Sequence, residues 1–135
     1  MPTLPARKPP RRNETRQLVE PIVVAVNAIP GARIFRPIVL NKLARSMSGA
    51  GLSIGSADLV GLVQCDCVGW WEDYHAPKGV GRFFALEVKW PKKKPDADQL
   101  RWAESIRALG GFVAVVHSVD EAIEAVARCR RGESQ

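Results

Sequence analysis

The segment RFFALEVKW at residues 82–90 constrains the fold of this chain more than any other. Its apolar residues occupy both alternating faces, which is typical of a strand that is covered on both sides of a sheet. Glu87 and Lys89 interrupt the pattern two residues apart, so their side chains project from the same face. Because burial of an unpaired charge is unfavourable, Glu87 needs a partner there. The segment predicts a sheet with helices on its faces and a polar site on one of them.

Length and composition indicate one folded domain. The chain has 135 residues, of which 46% are hydrophobic, enough to bury a core without disulfides. No apolar run approaches the roughly 20 residues of a membrane-spanning helix, and residues 1–12 lack the apolar core of a signal peptide. Three cysteines, an odd number, fit a reducing compartment. We expect no membrane association and a cytoplasmic location.

Hydrophobic periodicity predicts an α/β fold with the order αβββαβα. The predicted helices cover residues 14–28, 97–109 and 119–129, and the predicted strands cover residues 32–40, 58–68, 82–90 and 112–118. Pro37 interrupts the first strand, and Pro21 either kinks the first helix or begins its main portion. Three consecutive strands favour a meander, and the later crossover favours a parallel pair, so the sheet is expected to be mixed. The domain is assigned to residues 13–131, between a basic, proline-rich, flexible arm at 1–12 and a tail at 132–135.

Two capping patterns mark the starts of the later helices. Asp96 is followed three residues on by Gln99, and Ser118 by Glu121, as in a capping box. The helix after Asp96 is expected to bury one face, formed by Leu100, Ala103, Ile106 and Leu109.

An acidic residue at the start of the second strand completes a candidate site. If the second and third strands are hairpin neighbours, Asp58 lies beside Glu87, and the two carboxylates repel each other unless a cation lies between them. Oxygen ligands of this kind suit Mg²⁺ or Mn²⁺, with the backbone carbonyl of Val88 as a further ligand. Lys89 could then meet the developing charge of a phosphate. The ordinary alternative is a solvated strand face with a Glu–Lys pair.

These residues resemble a known family. The pattern "GSADLVGLV … GRFFALEVKWPKKKPDADQLRWAESIRALGGFVAVVHSVDEAI" is similar to the VRR-NUC branch of the PD-(D/E)XK nucleases, over roughly residues 14–126. The resemblance implies a restriction-endonuclease-like core, in which Asp58 and Glu87 bind the metal ion, Lys89 positions or activates the attacking water, and Gln99 orients the site. The alternative for Gln99 is a capping role alone.

The family also has an early glutamate and a later arginine. Glu14 and Arg36 fit that spacing best, and the resemblance implies that Glu14 is a further metal ligand; Glu20 is the alternative. The resemblance implies a DNA contact by Arg36, although Pro37-Ile38-Val39 departs from the asparagines that often follow the arginine.

Basic residues suggest a polyanionic partner. The net charge is +6 and the isoelectric point is about 9.7, a balance that favours nucleic acid. Arg11 and Arg12 in the arm, and Lys92, Lys93 and Lys94 after the third strand, are candidate phosphate contacts. The alternatives are a solubilising tail and a solvated turn.

Two further patterns carry less information. Cys65-x-Cys67 with His75 lacks the four spaced ligands of a structural zinc site, so the cysteines are expected to pack as small hydrophobic residues. Trp70, Trp71 and Tyr74 could stack on bases, cover the sheet or form a subunit contact, and the neighbouring acidic residues favour the last two.

The sequence thus predicts a Mg²⁺- or Mn²⁺-dependent DNA endonuclease. The resemblance implies action on branched, flapped or junction DNA, as in repair or recombination, by a homodimer. The alternatives are a catalytically silent nucleic-acid-binding module of the same fold and an RNA-directed nuclease.

Overall fold

The computed structural model describes residues 15–37, 57–65 and 80–135. Several predicted features lie outside these ranges: Glu14, Arg11 and Arg12 in the arm, Cys67 and His75, and the aromatic residues Trp70, Trp71 and Tyr74.

The described elements follow the predicted order. A π-helical turn at Thr15–Val19 leads into helix α1 (Glu20–Asn27), strands β1 (Ala32–Phe35), β2 (Leu59–Cys65) and β3 (Val80–Val88), helix α2 (Ala97–Ala108), strand β4 (Phe112–Val116) and helix α3 (Val119–Arg130). Pro21 lies in the first turn of α1, directly after the π-helical turn, so it marks the start of the main portion of the first helix.

The described strands form one mixed sheet in the order β1–β2–β3–β4. β1 pairs antiparallel with β2, and β2 antiparallel with β3, while β3 and β4 are parallel. The parallel pair is connected through α2, since parallel neighbours need a crossover rather than a hairpin. The predicted α/β class, with a mixed sheet flanked by helices, is confirmed.

Each face of the sheet has its own apolar core. On one face, α1 and α3 pack against alternate residues of the strands, including Leu59, Phe84, Leu86 and Val116. On the other face, α2 contributes Trp102 and Ala103, which pack with Val60, Ala85 and Val113. Glu87 alternates with Leu86 and Val88 and therefore projects from the α2 face.

Close packing of β1 on β2 depends on Gly61. A Cβ atom at this position would lie 1.9 Å from the backbone carbonyl oxygen of Arg33 on β1. The two strands approach closely here because residue 61 has no side chain.

Three details of the sequence prediction differ from the structure. β1 ends at Phe35, short of Pro37, which cannot donate a ladder hydrogen bond and disfavours regular structure in the residue before it. β3 ends at Val88 rather than Trp90, because Trp90 begins a turn. The buried face of α2 was predicted wrongly: Ala103 and Ile106 pack inwards, but Leu109 is 87% exposed and Leu100 is also exposed, and Trp102 is buried instead.

The helix caps agree with the sequence in one case fully and in the other in part. Asp96 and Gln99 form a reciprocal capping box. Ser118 accepts a hydrogen bond from the Glu121 amide, but the Glu121 carboxylate accepts from the amide of His117, one residue before the cap.

No helix within the described ranges is long and apolar enough to cross a bilayer.

Candidate active site

The pairing of β2 with β3 brings the predicted acidic residues together. Leu59 pairs with Leu86, so Asp58, immediately before β2, lies opposite Glu87 near the end of β3. The hairpin pairing of the second and third strands, on which the predicted proximity of Asp58 and Glu87 depended, is therefore present.

Glu87 and Lys89 share one face of β3, as their spacing predicts. The Lys89 ammonium lies 3.3 Å from Oε1 of Glu87. Glu87 is only 4% exposed, and it is the one charged residue that is buried among those described. The pair is therefore not the solvated strand pair that a Glu-x-Lys sequence usually represents.

Asp58 binds the backbone between these two residues. Its Oδ2 accepts a hydrogen bond of 2.9 Å from the amide of Val88. Because the N–H and C=O of one strand residue point to the same side, the carbonyl of Val88 also faces the side on which Asp58 lies. Three of the four groups predicted from the sequence as oxygen ligands, those of Asp58, Glu87 and Val88, thus border one region.

Gln99 links helix α2 to this region. Its Oε1 accepts from the Asp96 amide at 2.9 Å, and its Nε2 donates to Oε1 of Glu87 at 2.6 Å. The capping role and the contact with Glu87 use different atoms of the same amide. The two interpretations of Gln99 that the sequence left open are therefore compatible.

The environment of Glu87 opposes its ionisation. Burial and, to a smaller extent, the nearby negative charge of Asp58 raise the pKa of Glu87 to about 7, and Lys89 partly offsets their effect. Around neutral pH the carboxyl group exchanges readily between its protonated and charged forms.

One oxygen of Glu87 has no donor. Oε2 is buried and receives no hydrogen bond from the described residues. A proton on Glu87 could be shared with Asp58, and a cation between the two carboxylates would satisfy the same atoms. No cluster of three or more histidine, cysteine, aspartate or glutamate side chains suited to a metal ion occurs in the described ranges. The third predicted carboxylate, Glu14, lies outside them, and the alternative, Glu20, is exposed.

A small pocket between α2 and the sheet adjoins Glu87. It has a volume of about 20 Å³, room for about one water molecule, and its lining includes Glu87, Gln99, Ala103, Arg107 and Val115. Arg107 donates from one terminal nitrogen to the carbonyl of Val113 at 2.8 Å, while its Nε is buried without a partner among the described residues.

Arg107 did not emerge from the sequence as a site residue. Gln99, Ala103 and Arg107 recur every four residues, a spacing that places them along one side of a helix. This spacing was the signal that could have identified Arg107.

The predicted phosphate contacts that lie within the described residues are found at the same end of the sheet. Arg36 directly follows β1 and is exposed; extending the register places it level with Leu59, next to Asp58. Lys92, Lys93 and Lys94 are exposed in the connection from β3 to α2. The positions of Arg11 and Arg12 lie outside the described residues.

Cys65 packs as a small hydrophobic residue, as expected. It is buried, and its Sγ lies 3.2 Å from the carbonyl oxygen of Cys129. Burial raises the pKa of Cys129 to about 12, so its thiol is not poised as a nucleophile or a metal ligand.

Comparisons of the chain with models of protein families, with curated proteins and with solved structures found no match.

Proposed function

We propose that this protein is a nuclease of the VRR-NUC type that depends on a divalent cation and hydrolyses phosphodiester bonds in DNA. The observation that carries the proposal is the buried Glu87, which meets Asp58, Lys89 and Gln99 at one end of the sheet and has one oxygen without a donor among the described residues. A carboxylate so placed serves the core poorly unless it binds a ligand. The proposal includes the restriction-endonuclease-like core and action on branched, flapped or junction DNA.

The residues present fit a small, hard cation. Asp58, Glu87 and the carbonyl of Val88 would hold Mg²⁺ or Mn²⁺, with Glu14 as a further ligand. Two carboxylates are sufficient, because Mg²⁺ usually keeps several waters and takes a phosphate oxygen of its substrate. When bound, the cation would supply positive charge against the phosphate.

The chain's own groups account for orientation and proton position. Gln99 fixes Oε1 of Glu87 through a hydrogen bond of 2.6 Å, while Oε2 accepts no hydrogen bond from the described residues. Lys89 is 3.3 Å from the same Oε1, close enough to hold an attacking water or to stabilise charge on the phosphate. Asp58 holds the Val88 amide and thereby the end of β3.

Binding to DNA rests on the basic residues around this end of the sheet. Arg36 and the lysines at 92–94 are exposed there, and Arg11 and Arg12 would add contacts from the arm. Contacts of this kind give affinity that does not depend on base sequence. We further propose a homodimer, since the cutting of two strands needs two sites, and a cytoplasmic location.

One observation favours a second candidate function, a catalytically silent nucleic-acid-binding module. The ammonium of Lys89 already pairs with Glu87, so the two side chains make a structural contact that needs no metal ion. An RNA-directed nuclease would use the same groups as the proposed enzyme.

A cleavage assay on linear, flapped and four-way DNA, and on RNA, tests the proposal. With Mg²⁺ or Mn²⁺ we expect the wild type to cut DNA and Glu87→Ala to be inactive, because a metal ligand has been removed. DNA binding by Glu87→Ala in EDTA should persist or strengthen, since a negative charge facing phosphate has gone.

Glu104→Ala is the matched control. It removes an exposed glutamate of α2 and should cut like the wild type. Cleavage by Glu87→Ala at the wild-type rate would refute the proposed mechanism, and binding without any metal-dependent cleavage by the wild type would favour the silent module.

A further inference from the structure

The connection between β3 and α2 is fixed at both ends to Glu87. It starts after Lys89, which lies 3.3 Å from Glu87, and it ends before Gln99, which donates to Glu87 at 2.6 Å. At the start, the Lys89 amide also bonds the carbonyl of Val116 on β4 at 3.0 Å. The lysines within this connection are therefore held close to the candidate site.

The connection opens with a tight turn of unusual composition. The Lys93 amide donates to the carbonyl of Trp90 at 3.0 Å, which closes a turn with Pro91 and Lys92 at its centre. Lys92 has a φ of +68° and is the only non-glycine residue with positive φ in the described part of the chain. Proline followed by positive φ defines a type II turn, in which glycine is the favoured residue at the second central position.

Lys92 is thus strained in its backbone, and no described contact compensates for it. A left-handed φ brings the Cβ of an L-residue too close to the backbone. The side chain is exposed, and no described carboxylate pairs with it. The same is true of Lys93 and Lys94, but neither has a positive φ.

The turn has a third attachment on its far side. Nε2 of His117 lies 3.4 Å from the carbonyl oxygen of Lys93, and Nδ1 of His117 lies 3.0 Å from a carboxylate oxygen of Glu121. The imidazole ring therefore joins the turn to the first residues of α3. The turn that carries Lys92 is therefore held by β3, α2 and α3, which keeps the backbone of Lys92 close to the candidate site.

We propose that Lys92 binds a phosphate of the DNA backbone beside the Glu87 site, and that this position keeps a lysine where glycine would make the fold more stable. Strain of this kind persists where the residue has another use. The inference rests on the proposed function for the identity of the ligand. It separates Lys92 from Lys94, which is attached to an unstrained backbone and is expected to contribute through its charge alone.

The test uses the full chain with Lys92→Gly, Lys92→Arg and Lys94→Gly. Thermal unfolding is measured without ligand, and affinity for a short DNA duplex is measured in EDTA over a range of salt, so that neither readout depends on cleavage. Lys92→Gly should melt a few degrees higher than the wild type because the strain is removed. Its affinity should fall about five- to tenfold at 0.1 M salt, with the slope of log affinity against log salt smaller by about 0.9.

The control variants separate strain from charge. Lys92→Arg keeps both the backbone strain and the positive charge, so it should resemble the wild type in melting temperature and DNA affinity. Lys94→Gly removes a lysine from an unstrained position, so it should not melt higher than the wild type. The proposal is overturned if Lys92→Gly melts no higher than the wild type, or if it binds the duplex with unchanged affinity and salt slope.

The proposal and the nuclease function can fail separately. Loss of affinity in Lys92→Gly together with no cleavage by the wild type would leave the phosphate contact standing and remove the enzyme. Normal cleavage by the wild type, with no change in the DNA affinity of Lys92→Gly, would leave the nuclease standing and remove the phosphate contact. If Lys92→Gly lost affinity for vesicles of anionic lipid but bound DNA as the wild type does, the choice of ligand would be overturned.

Discussion

Glu87 is the residue at which stability and proposed chemistry oppose each other. Burial and the charge of Asp58 raise its pKa to about 7 from an ordinary value of 4.5, so the folded state binds a proton more tightly than the unfolded state does. The stabilisation from that proton is fully present below about pH 4.5 and is lost as the pH rises through about 7.

Glu87→Gln should therefore be more stable than the wild type at pH 8. Ionisation of Glu87 costs the wild type on the order of 3 kcal/mol of unfolding free energy at most, because one pKa unit corresponds to about 1.4 kcal/mol. The substitution avoids this loss. Thermal unfolding in EDTA at pH 5 and pH 8 measures it: the wild type should lose stability between the two, relative to Glu87→Gln. Glu104→Gln serves as control, and an identical pH response in the wild type and Glu87→Gln would contradict the assignment.

The sequence could predict the pairing of residues but not their strain. Alternation along β3 was enough to place Glu87 and Lys89 on one face, and a hairpin was enough to bring Asp58 to them. The positive φ of Lys92 depends on where α2 and His117 fix the connection, which no local pattern reveals. Arg107 was missed because an arginine on a helix is usually solvated, and only the packing of α2 buries its Nε.

At the level of elements, the start of α2 joins a helix cap to the candidate site. The sequence Asp-x-x-Gln predicted the capping box, which is local. The buried face of the helix was predicted less well, because Leu100 and Leu109 fit the helical period with Ala103 and Ile106 as well as Trp102 does. The contact of Gln99 with Glu87 and the packing of Trp102 against Phe83 orient the helix, and both are tertiary interactions.

Asp96→Ala and Gln99→Ala separate the two roles of this cap. Asp96→Ala removes the acceptor for the Gln99 amide and should cost about 1 kcal/mol, while the bond from Gln99 to Glu87 is retained. Gln99→Ala removes both the cap contact and the bond to Glu87. We expect Gln99→Ala to have the lower unfolding free energy of the two, and only Gln99→Ala to lose most of its single-turnover cleavage. Equal cleavage by both would reduce Gln99 to a cap.

For the whole molecule, the sequence predicted the order of the elements and the mixed sheet, because a meander of three strands followed by one crossover leaves few alternatives. It did not predict that residues 132–135, which were set apart as a tail, contact the sheet. Gly132, with φ of +90°, follows α3, and the amides of Gly132 and Glu133 bond the carbonyls of Cys129 and Arg128. This Schellman arrangement turns the chain back towards β4.

The returning tail covers part of the edge of β4. The Val113 amide donates to the carbonyl of Ser134 at 3.2 Å, and Arg82 on β3 donates to the carbonyls of Gly110, Cys129 and Glu133. An edge amide that is already bonded cannot pair with another chain. Both contacts lie near the start of β4, at the opposite end of the strand from Val116 and Lys89.

Deletion of residues 133–135 should therefore lower stability without affecting the candidate site. The lost bonds to Val113 and Arg82 predict a decrease of about 2 kcal/mol in the free energy of unfolding. Arg82→Met should also destabilise, and its combination with the deletion should cost less than the two effects added together, because both remove the Arg82–Glu133 contact. Removal of Gln135 alone is the control and should have little effect on stability, since its bond to Arg128 is exposed. Denaturant unfolding measures these changes in the free energy of unfolding. DNA affinity in EDTA should remain at the wild-type value in all four variants. If the effects of Arg82→Met and of the deletion are fully additive, the tail is held by other contacts.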